Sequence, residues 1–126
     1  MIYGPLVADH IGNPRNLGKL DDADGVGQVD DAASETYLTV YLKLAPGPDE
    51  RPMIAEARFR ALGCSGCIAT GSIATELVRG RTPDEVLAVD GAAINRALED
   101  GLPEEQRYCA DLAAVALHRA IEATRS

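Results

Sequence analysis

Three cysteines carry most of the chemistry that this sequence offers: Cys64, Cys67 and Cys109. Cys64 and Cys67 are three positions apart, where an extended pattern gives way to a helical one, and Cys109 also lies at a predicted helix start. The free N–H groups and the positive dipole end of a helix start favour a thiolate, the form of cysteine that binds metals and acts as a nucleophile. If the two helix starts meet at one end of a sheet, three soft ligands converge, as zinc or an iron–sulfur cluster requires.

Other interpretations of the same residues stay open at this point. A single C-x-x-C pair is a weak motif, because it lacks both the partner pair of a zinc ribbon and a thioredoxin-like βαβ context. A cysteine such as Cys109 is by itself more often a buried core thiol than a ligand. His10 and His118 are isolated, and we interpret them as structural or solvent-facing. No Ser-His-Asp set, nucleotide loop or pair of catalytic carboxylates stands out, so the sequence does not predict an enzyme.

Alternating segments predict the sheet that would position the cysteines. In a strand predicted from Thr36 to Leu44, one face is apolar and consists of Leu38, Val40, Leu42 and Leu44. The segment from Ile54 to Leu62 alternates as well, with Ala55, Ala57, Phe59 and Ala61 on one face. A turn-rich connection between them indicates an antiparallel hairpin, and a short strand from Val26 to Val29 is expected beside it.

Helical patterns follow the second strand of the hairpin. Gly63 ends that strand, and a helix is predicted from about Cys64 to Arg79 with an apolar stripe of Ala69, Ile73, Ala74, Leu77 and Val78. Thr82, Pro83 and Glu85 predict a capped helix start, and Asp90 predicts another. The last helix shows the i, i+3, i+4, i+7 spacing from Cys109 to Ile121. A short N-terminal helix begins at Pro5, and the residues from Asp9 to Leu20 are expected to form a loop. The predicted class is α+β, a small antiparallel sheet covered by helices on one side.

Length and composition indicate the number of domains, the excluded classes of partner and the cellular compartment. A chain of 126 residues is expected to form one domain, residues 1–126, with a core that needs no disulfides. A net charge of −8 argues against nucleic acid and against an anionic membrane surface as partners. The first residues have neither a basic start nor a long apolar run, so no signal peptide is predicted. An odd number of cysteines without an export signal favours the cytoplasm.

Several segments resemble the IscU/NifU-type iron–sulfur cluster assembly scaffolds. Tyr3 and the run Asp9-His10, Asn13-Pro14-Arg15-Asn16 and Gly18 match that family's opening D-H-x-x-N-P-R-N-x-G. Further matches are Ala57-Arg58-Phe59, Gly63-Cys64, Ile68-Ala69, Ser72, Thr75-Glu76, Gly80, Leu102-Pro103 and Cys109. The resemblance spans nearly the whole chain and implies an α+β fold with a three-stranded antiparallel sheet. It also implies that the protein holds a nascent [2Fe–2S] cluster and passes it to apo-proteins.

The family's site uses three cysteines, an aspartate near the first and often a histidine before the last. By position, Cys64 and Cys109 match the second and third cysteines. The first falls on Ser34, the aspartate on Thr36 and the histidine on Tyr108, whereas Cys67 stands where the family usually has a small residue. We therefore hypothesise that the ligand set has been rearranged.

In that hypothesis Cys64, Cys67 and Cys109 bind the cluster. The fourth ligand would come from Ser34, Glu35, Tyr108, a small thiol or a second subunit of a homo-oligomer. Because the aspartate is tied to cluster release in the family, its loss predicts a cluster held more permanently.

Partners and alternatives follow from the same resemblance. It implies a cysteine desulfurase as the sulfur source and apo iron–sulfur proteins as recipients. Members that use an Hsp70-type chaperone carry L-P-P-V-K, of which Leu102 and Pro103 alone remain before Glu104, so handling by such a chaperone is not expected. The alternatives are a zinc- or iron-binding structural or regulatory relative, a persulfide carrier or thiol protein that uses Cys64 and Cys67, and an adaptor that has lost its cluster.

Overall fold

The computed structural model describes residues 3–99 and 101–125 of the chain. Its elements in chain order are α1 (Pro5–Gly12), β1 (Gly25–Asp31), β2 (Thr36–Pro46), β3 (Pro52–Leu62), α2 (Ser65–Val78), α3 (Pro83–Leu87), α4 (Gly91–Ala97) and α5 (Tyr108–Thr124), with a 3₁₀ turn (Glu104–Gln106) before α5. The prediction that the first residues do not form a signal peptide concerns residues 1–5, of which residues 1 and 2 lie outside the described residues.

The three strands form an antiparallel sheet in the order β1-β2-β3, which confirms the predicted sheet. Val29 pairs with Leu38, and Val40 pairs with Phe59. These four side chains are buried on the inner face, as the alternating pattern of β2 predicts. β1 is longer than the predicted strand by one residue at its start and two at its end.

A register shift between Lys43 and Leu44 changes the inner face of β3. Beyond the shift, Leu44 pairs with Ile54, whereas Leu42 pairs with Ala57 on the other side of it. An extra residue at a bulge interrupts the alternation of the strand, so Ile54 points inward and Ala55 is exposed. The prediction that Ala55 shares a face with Ala57 and Phe59 is therefore wrong.

Helices α2 and α5 cover the inner face of the sheet, where their side chains pack with those of the strands in the main hydrophobic core. The approach is close because small residues line the contacts. A Cβ atom added at Gly71 of α2 would collide with the ring of Phe59, and one added at Gly27 of β1 would collide with the carbonyl oxygen of Ala116. The glycines thus let the helices lie directly on the sheet.

No helix of residues 3–99 and 101–125 covers the outer face of the sheet. Val26, Tyr37 and Leu62 lie there and are 46%, 40% and 69% exposed. Helices on one side of a small antiparallel sheet are what the sequence predicts, and the α+β class is confirmed. Within the described residues, no helix combines the length and the apolar character that crossing a bilayer requires.

The predicted helix ends agree with the structure in most places. Thr82 and Glu85 form a capping box at α3, and the Asp90 side chain accepts a hydrogen bond from the Ala93 N–H at α4. Gly80, with φ of 81°, follows the end of α2 in the left-handed conformation. In the predicted stripe of α2, Ala69, Ala74 and Val78 are buried, and Ile73 and Leu77 are half-buried.

The predicted loop from Asp9 onward is wrong in its first part. Helix α1 continues to Gly12, and the Asn13 N–H closes it on the carbonyl of Asp9. The turn formers Asp9 and Gly12 are exposed and do not interrupt the helix, whereas Val7 and His10 on its other side are buried. Pro14 then stops the helix, as predicted.

Candidate functional site

The three cysteines meet where α2 and α5 begin. Cys64 is the N-cap residue of α2, Cys67 lies in its first turn, and Cys109 lies in the first turn of α5. The Sγ atom of Cys64 is 3.5 Å from that of Cys67 and 3.4 Å from that of Cys109. The Sγ atoms of Cys67 and Cys109 are 2.6 Å apart. The convergence that the sequence predicts is therefore present, and it depends on two helix starts brought together at one end of the sheet.

Access to the three thiols is unequal. Cys67 and Cys109 are each 1% exposed, whereas Cys64 is half-buried. The two buried thiols belong to a small apolar cluster separate from the main core, whose other buried members are Val7, Ala69, Leu98 and Leu102. Cys64 faces an open cavity of about 600 Å³ lined by Ala32, Ser34, Glu35, Tyr37, Leu62, Gly63 and Tyr108. A reagent or ligand would therefore reach the group of three thiols at Cys64 first.

Close contact between the two buried thiols shifts their pKa values in opposite directions. The hydrogen bond from Cys109 lowers the pKa of Cys67 to about 6, against burial, and a further bond from Cys64 acts in the same direction. The same bond to Cys67, with burial, raises the pKa of Cys109. One thiolate therefore persists at neutral pH beside one thiol. From the sequence, the helix start is expected to favour the thiolate of Cys67. In the structure the neighbouring thiols are the main cause of its lowered pKa.

Two hydroxyl groups border the thiols. The Oγ1 atom of Thr36 lies 3.9 Å from the Sγ of Cys67, and the hydroxyl of Tyr108 lies 3.8 Å from the Sγ of Cys64. A hydrogen bond with Thr36 favours the Tyr108 phenolate, but burial and the adjacent thiols outweigh it and raise the pKa of Tyr108 to about 12. Tyr108 thus stays protonated at neutral pH, which makes it a poor ligand there.

The candidates for a fourth ligand lie at the rim of the cavity. Ser34 and Glu35 line it together with Cys64 and Tyr108. The hydroxyl of Ser34 donates a hydrogen bond of 2.7 Å to a carboxylate oxygen of Asp31. Among the described residues, the group of metal-ligating side chains whose donor atoms all lie within 4.8 Å of one another consists of the three cysteines. The structure thus brings the three thiols together and leaves the other candidates beside them.

The N-terminal segment covers this site, which sequence reasoning missed. The Tyr3 hydroxyl donates a hydrogen bond of 3.0 Å to Oε1 of Gln106, just before α5. His10 is buried with its Nδ1 atom 2.6 Å from Oγ of Ser72 on α2. The Arg15 N–H donates to the same Oγ, so the hydroxyl of Ser72 is left to donate to Nδ1. The contacts join residues far apart in sequence, and no local pattern signals them.

The two histidines lie outside the thiol group, as the sequence indicates. Burial lowers the pKa of His10, and the nearby Arg15 adds to the effect. A ring nitrogen of His118 lies 2.8 Å from the carbonyl oxygen of Val89, at the far side of α5. Both histidines therefore serve packing and hydrogen bonding between elements.

The donor set suits a soft metal. Thiolate sulfur is the ligand that zinc and iron–sulfur clusters prefer, and serine or tyrosine oxygen is a much poorer one. Ligands at about 2.3 Å from a tetrahedral zinc ion lie about 3.8 Å apart. The distances from Cys64 to the other two sulfurs are close to that value, and Cys67 and Cys109 would need to separate by about 1 Å. The three thiols can therefore face one metal centre after a small adjustment.

Comparison with known proteins agrees with this geometry. Residues 2–126 match the family described as the NifU-like N terminal domain. The chain is 43% identical over 120 residues to Iron-sulfur cluster assembly scaffold protein IscU 1 of Archaeoglobus fulgidus, covering 95% of this chain and 74% of that protein. It is 36% identical over 124 residues to the scaffold protein IscU of Azotobacter vinelandii, covering 96% and 92%. A crystal structure of a NifU-like protein (N-terminal) from Brucella abortus superposes with a TM-score of 0.60 at 27% identity, covering 97% and 81%.

Proposed function

The chain belongs to the NifU-like N-terminal domain family, and on that premise we propose that it is an iron–sulfur cluster assembly scaffold or carrier. The observation that carries the proposal is the meeting of three thiols at the mouth of an open cavity. Scaffold work requires soft ligands that are partly shielded from water and still reachable by a donor and a recipient. Two buried thiols and one at the cavity meet both requirements.

The proposed ligands are Cys64, Cys67 and Cys109. Cys67 replaces the thiol that the family supplies at the position of Ser34. Three observations support this assignment: Cys67 lies within 3.5 Å of both other sulfurs, its lowered pKa favours the thiolate, and the hydroxyl of Ser34 is directed to Asp31. A thiolate at neutral pH is the form that binds a metal without first losing a proton.

A fourth ligand from outside the chain completes the proposed site. The raised pKa of Tyr108 and the Ser34–Asp31 hydrogen bond disfavour these two side chains as ligands. The third candidate, Glu35, lines the cavity, but its carboxylate does not lie within 4.8 Å of all three sulfur atoms. The cavity in front of Cys64 is open, so a small thiol or a side chain of a second subunit has room to enter. In the proposal the cargo is a [2Fe–2S] cluster, and zinc is the alternative occupant of the same thiols.

The proposed partners follow from family membership. A cysteine desulfurase would supply sulfur, and apo iron–sulfur proteins would receive the cluster. No Hsp70-type chaperone is proposed, because Glu104 and Glu105 stand in the exposed 3₁₀ turn where the family's chaperone motif carries no acidic residue. The protein would act as one domain, residues 1–126, in the cytoplasm, where three free thiols stay reduced. The proposed role is binding and transfer of a cluster and not turnover of a substrate.

Anaerobic reconstitution with iron and sulfide tests the proposal. The wild-type protein is expected to take up both elements and to gain visible absorbance, and Cys67→Ala is expected to lose them because one of three thiolates is missing. Ser65→Ala is the matched control, since Ser65 is exposed in the same helical turn. Unchanged iron content in Cys67→Ala would overturn the rearranged ligand set.

A rescue variant separates loss of a ligand from loss of the fold. Cys67→Ala combined with Ser34→Cys restores the family's ligand pattern beside the same cavity, and it should regain a cluster. Zinc without acid-labile sulfide in protein isolated anaerobically would favour a zinc-binding relative. A persulfide on Cys64 with no bound metal would favour a sulfur carrier.

A further inference from the structure

The three thiols differ in a way that metal binding does not require. Cys64 faces the cavity, whereas Cys67 and Cys109 are buried and lie closest to each other, at 2.6 Å. We propose that the three cysteines form a thiol–disulfide relay, in which Cys64 reacts with a small-molecule disulfide and the oxidation ends as a buried Cys67–Cys109 disulfide. This reaction needs no metal, and it goes beyond the proposed scaffold function.

The first step is exchange at the accessible thiol. The Cys64 thiolate attacks an external disulfide RSSR, a bond forms between Sγ and one sulfur of the reagent, and RS⁻ leaves. The mixed disulfide at Cys64 then holds R in the cavity of about 600 Å³, which has room for a tripeptide thiol. Cys67 and Cys109, each 1% exposed, cannot be reached by the reagent directly.

Two internal steps move the disulfide inward. The Cys67 thiolate attacks Sγ of Cys64, 3.5 Å away, and releases the second RS⁻. Cys109 then attacks Sγ of Cys67 and displaces the Cys64 thiolate. Cys109 gives its proton to one RS⁻ group, and the solvent protonates the other. In sum, two protein thiols are oxidised to one disulfide and RSSR is reduced to two RSH, so atoms and electrons balance.

The end point is set by distance and by burial. A disulfide has a sulfur–sulfur bond of about 2.0 Å, so forming it costs the least movement in the pair that starts closest together. Cys67 and Cys109 start at 2.6 Å, whereas Cys64 is at least 3.4 Å from either. A buried disulfide is also protected from thiols in solution, whereas one that includes Cys64 is open to attack. The Cys67–Cys109 disulfide is therefore the one that accumulates.

Oxidation in this way would switch off the metal site. It removes two of the three proposed ligands and leaves Cys64 as a free thiol, so a cluster cannot bind until a dithiol reduces the pair through Cys64. This consequence rests on the proposed function, whereas the relay itself does not. The relay would make cluster loading depend on the ratio of disulfide to thiol around the protein.

Oxidation of the reduced, metal-free protein by glutathione disulfide tests the relay. Free thiols per chain are expected to fall from three to one. Peptide mapping by mass spectrometry after rapid alkylation should find a Cys67–Cys109 crosslink and the alkyl label on Cys64. A final disulfide that includes Cys64, or glutathione that persists on Cys64, would overturn the proposal.

Variants test the entry through Cys64. The oxidation rate of Cys64→Ser should be at least about tenfold lower than that of the wild type, because access governs the rate of thiol–disulfide exchange. Ser65→Ala, exposed beside it, should oxidise at the wild-type rate. Equal rates in Cys64→Ser and wild type would show that the buried pair reacts without the relay.

A last measurement separates the two proposals. The oxidised protein should take up no iron and sulfide, and treatment with a dithiol should restore the uptake of the reduced protein. If the reduced protein binds neither iron nor zinc but still forms the Cys67–Cys109 disulfide, the scaffold proposal fails and the relay stands. If the oxidised protein binds a cluster as well as the reduced one, the proposed switch fails.

Discussion

Raising the pH should stabilise the reduced, metal-free protein through the Cys67 thiolate. The pKa of Cys67 is about 6 in the folded protein against an ordinary value of 9.0. Between these values the unfolded chain holds a proton that the folded protein has already lost, so the free energy of unfolding rises with pH. Each pH unit contributes at most about 1.4 kcal/mol, and the rise from pH 6.5 to pH 8.5 should reach about 2–3 kcal/mol.

The other perturbed groups near the site act outside this window. The raised pKa of Cys109 means that the folded protein keeps a proton that the unfolded chain loses above pH 9, so stability falls there. The lowered pKa of His10 costs stability only below its ordinary value of 6.5. A maximum of stability near pH 9 is the combined expectation for the three groups.

Urea denaturation at pH 6.5, 7.5 and 8.5 measures the effect, with a chelator and a phosphine reductant present throughout. Cys67→Ser is the reference, because serine has a similar shape and does not titrate in this range. The difference in unfolding free energy between wild type and Cys67→Ser should grow with pH by the stated amount. Curves that run parallel would refute the assignment of a thiolate to Cys67.

Two further predictions concern the elements that position the site. Gly71→Ala should destabilise the protein by about 1–3 kcal/mol, because the added methyl group collides with the buried ring of Phe59, whereas Gly12→Ala, with open space around it, should be close to neutral; thermal denaturation compares the two. Ser72→Ala should cost about 1–3 kcal/mol by leaving Nδ1 of buried His10 without its partner, and a wild-type midpoint for His10 at or above 6.5 in an NMR titration would contradict this environment.

The sequence predicts the fold well where the pattern is local. The alternation in β2, the capping box at Thr82 and the apolar stripe of α5 each depend on residues within a few positions of one another, and each is confirmed. The cysteines follow from the same reasoning, since Gly63 ends β3 at the point where the helix begins with Cys64. Local chemistry therefore places each thiol at the start of a helix.

The features of the fold and the site that the sequence does not predict depend on contacts that no local pattern encodes. The bulge opposite Lys43 changes which alanine of β3 faces inward, and an alternating run such as Ala55-Glu56-Ala57 does not reveal it. The opposite pKa shifts of Cys67 and Cys109 arise because their Sγ atoms, on two different helices, lie 2.6 Å apart. These features exist only in the folded chain, because they follow from how the elements pack.

The hydrogen bond from Tyr3 to Gln106 joins residues 103 positions apart. During synthesis the N-terminal segment leaves the ribosome first, yet Gln106 and Cys109 emerge only about a hundred residues later. Until then Cys64 and Cys67 lack both the third thiol and the turn to which Tyr3 binds, so a nascent chain presents a pair of thiols without their cover. A three-thiol site therefore cannot form until Cys109 has been synthesised, and its assembly requires these two distant parts of the chain to meet.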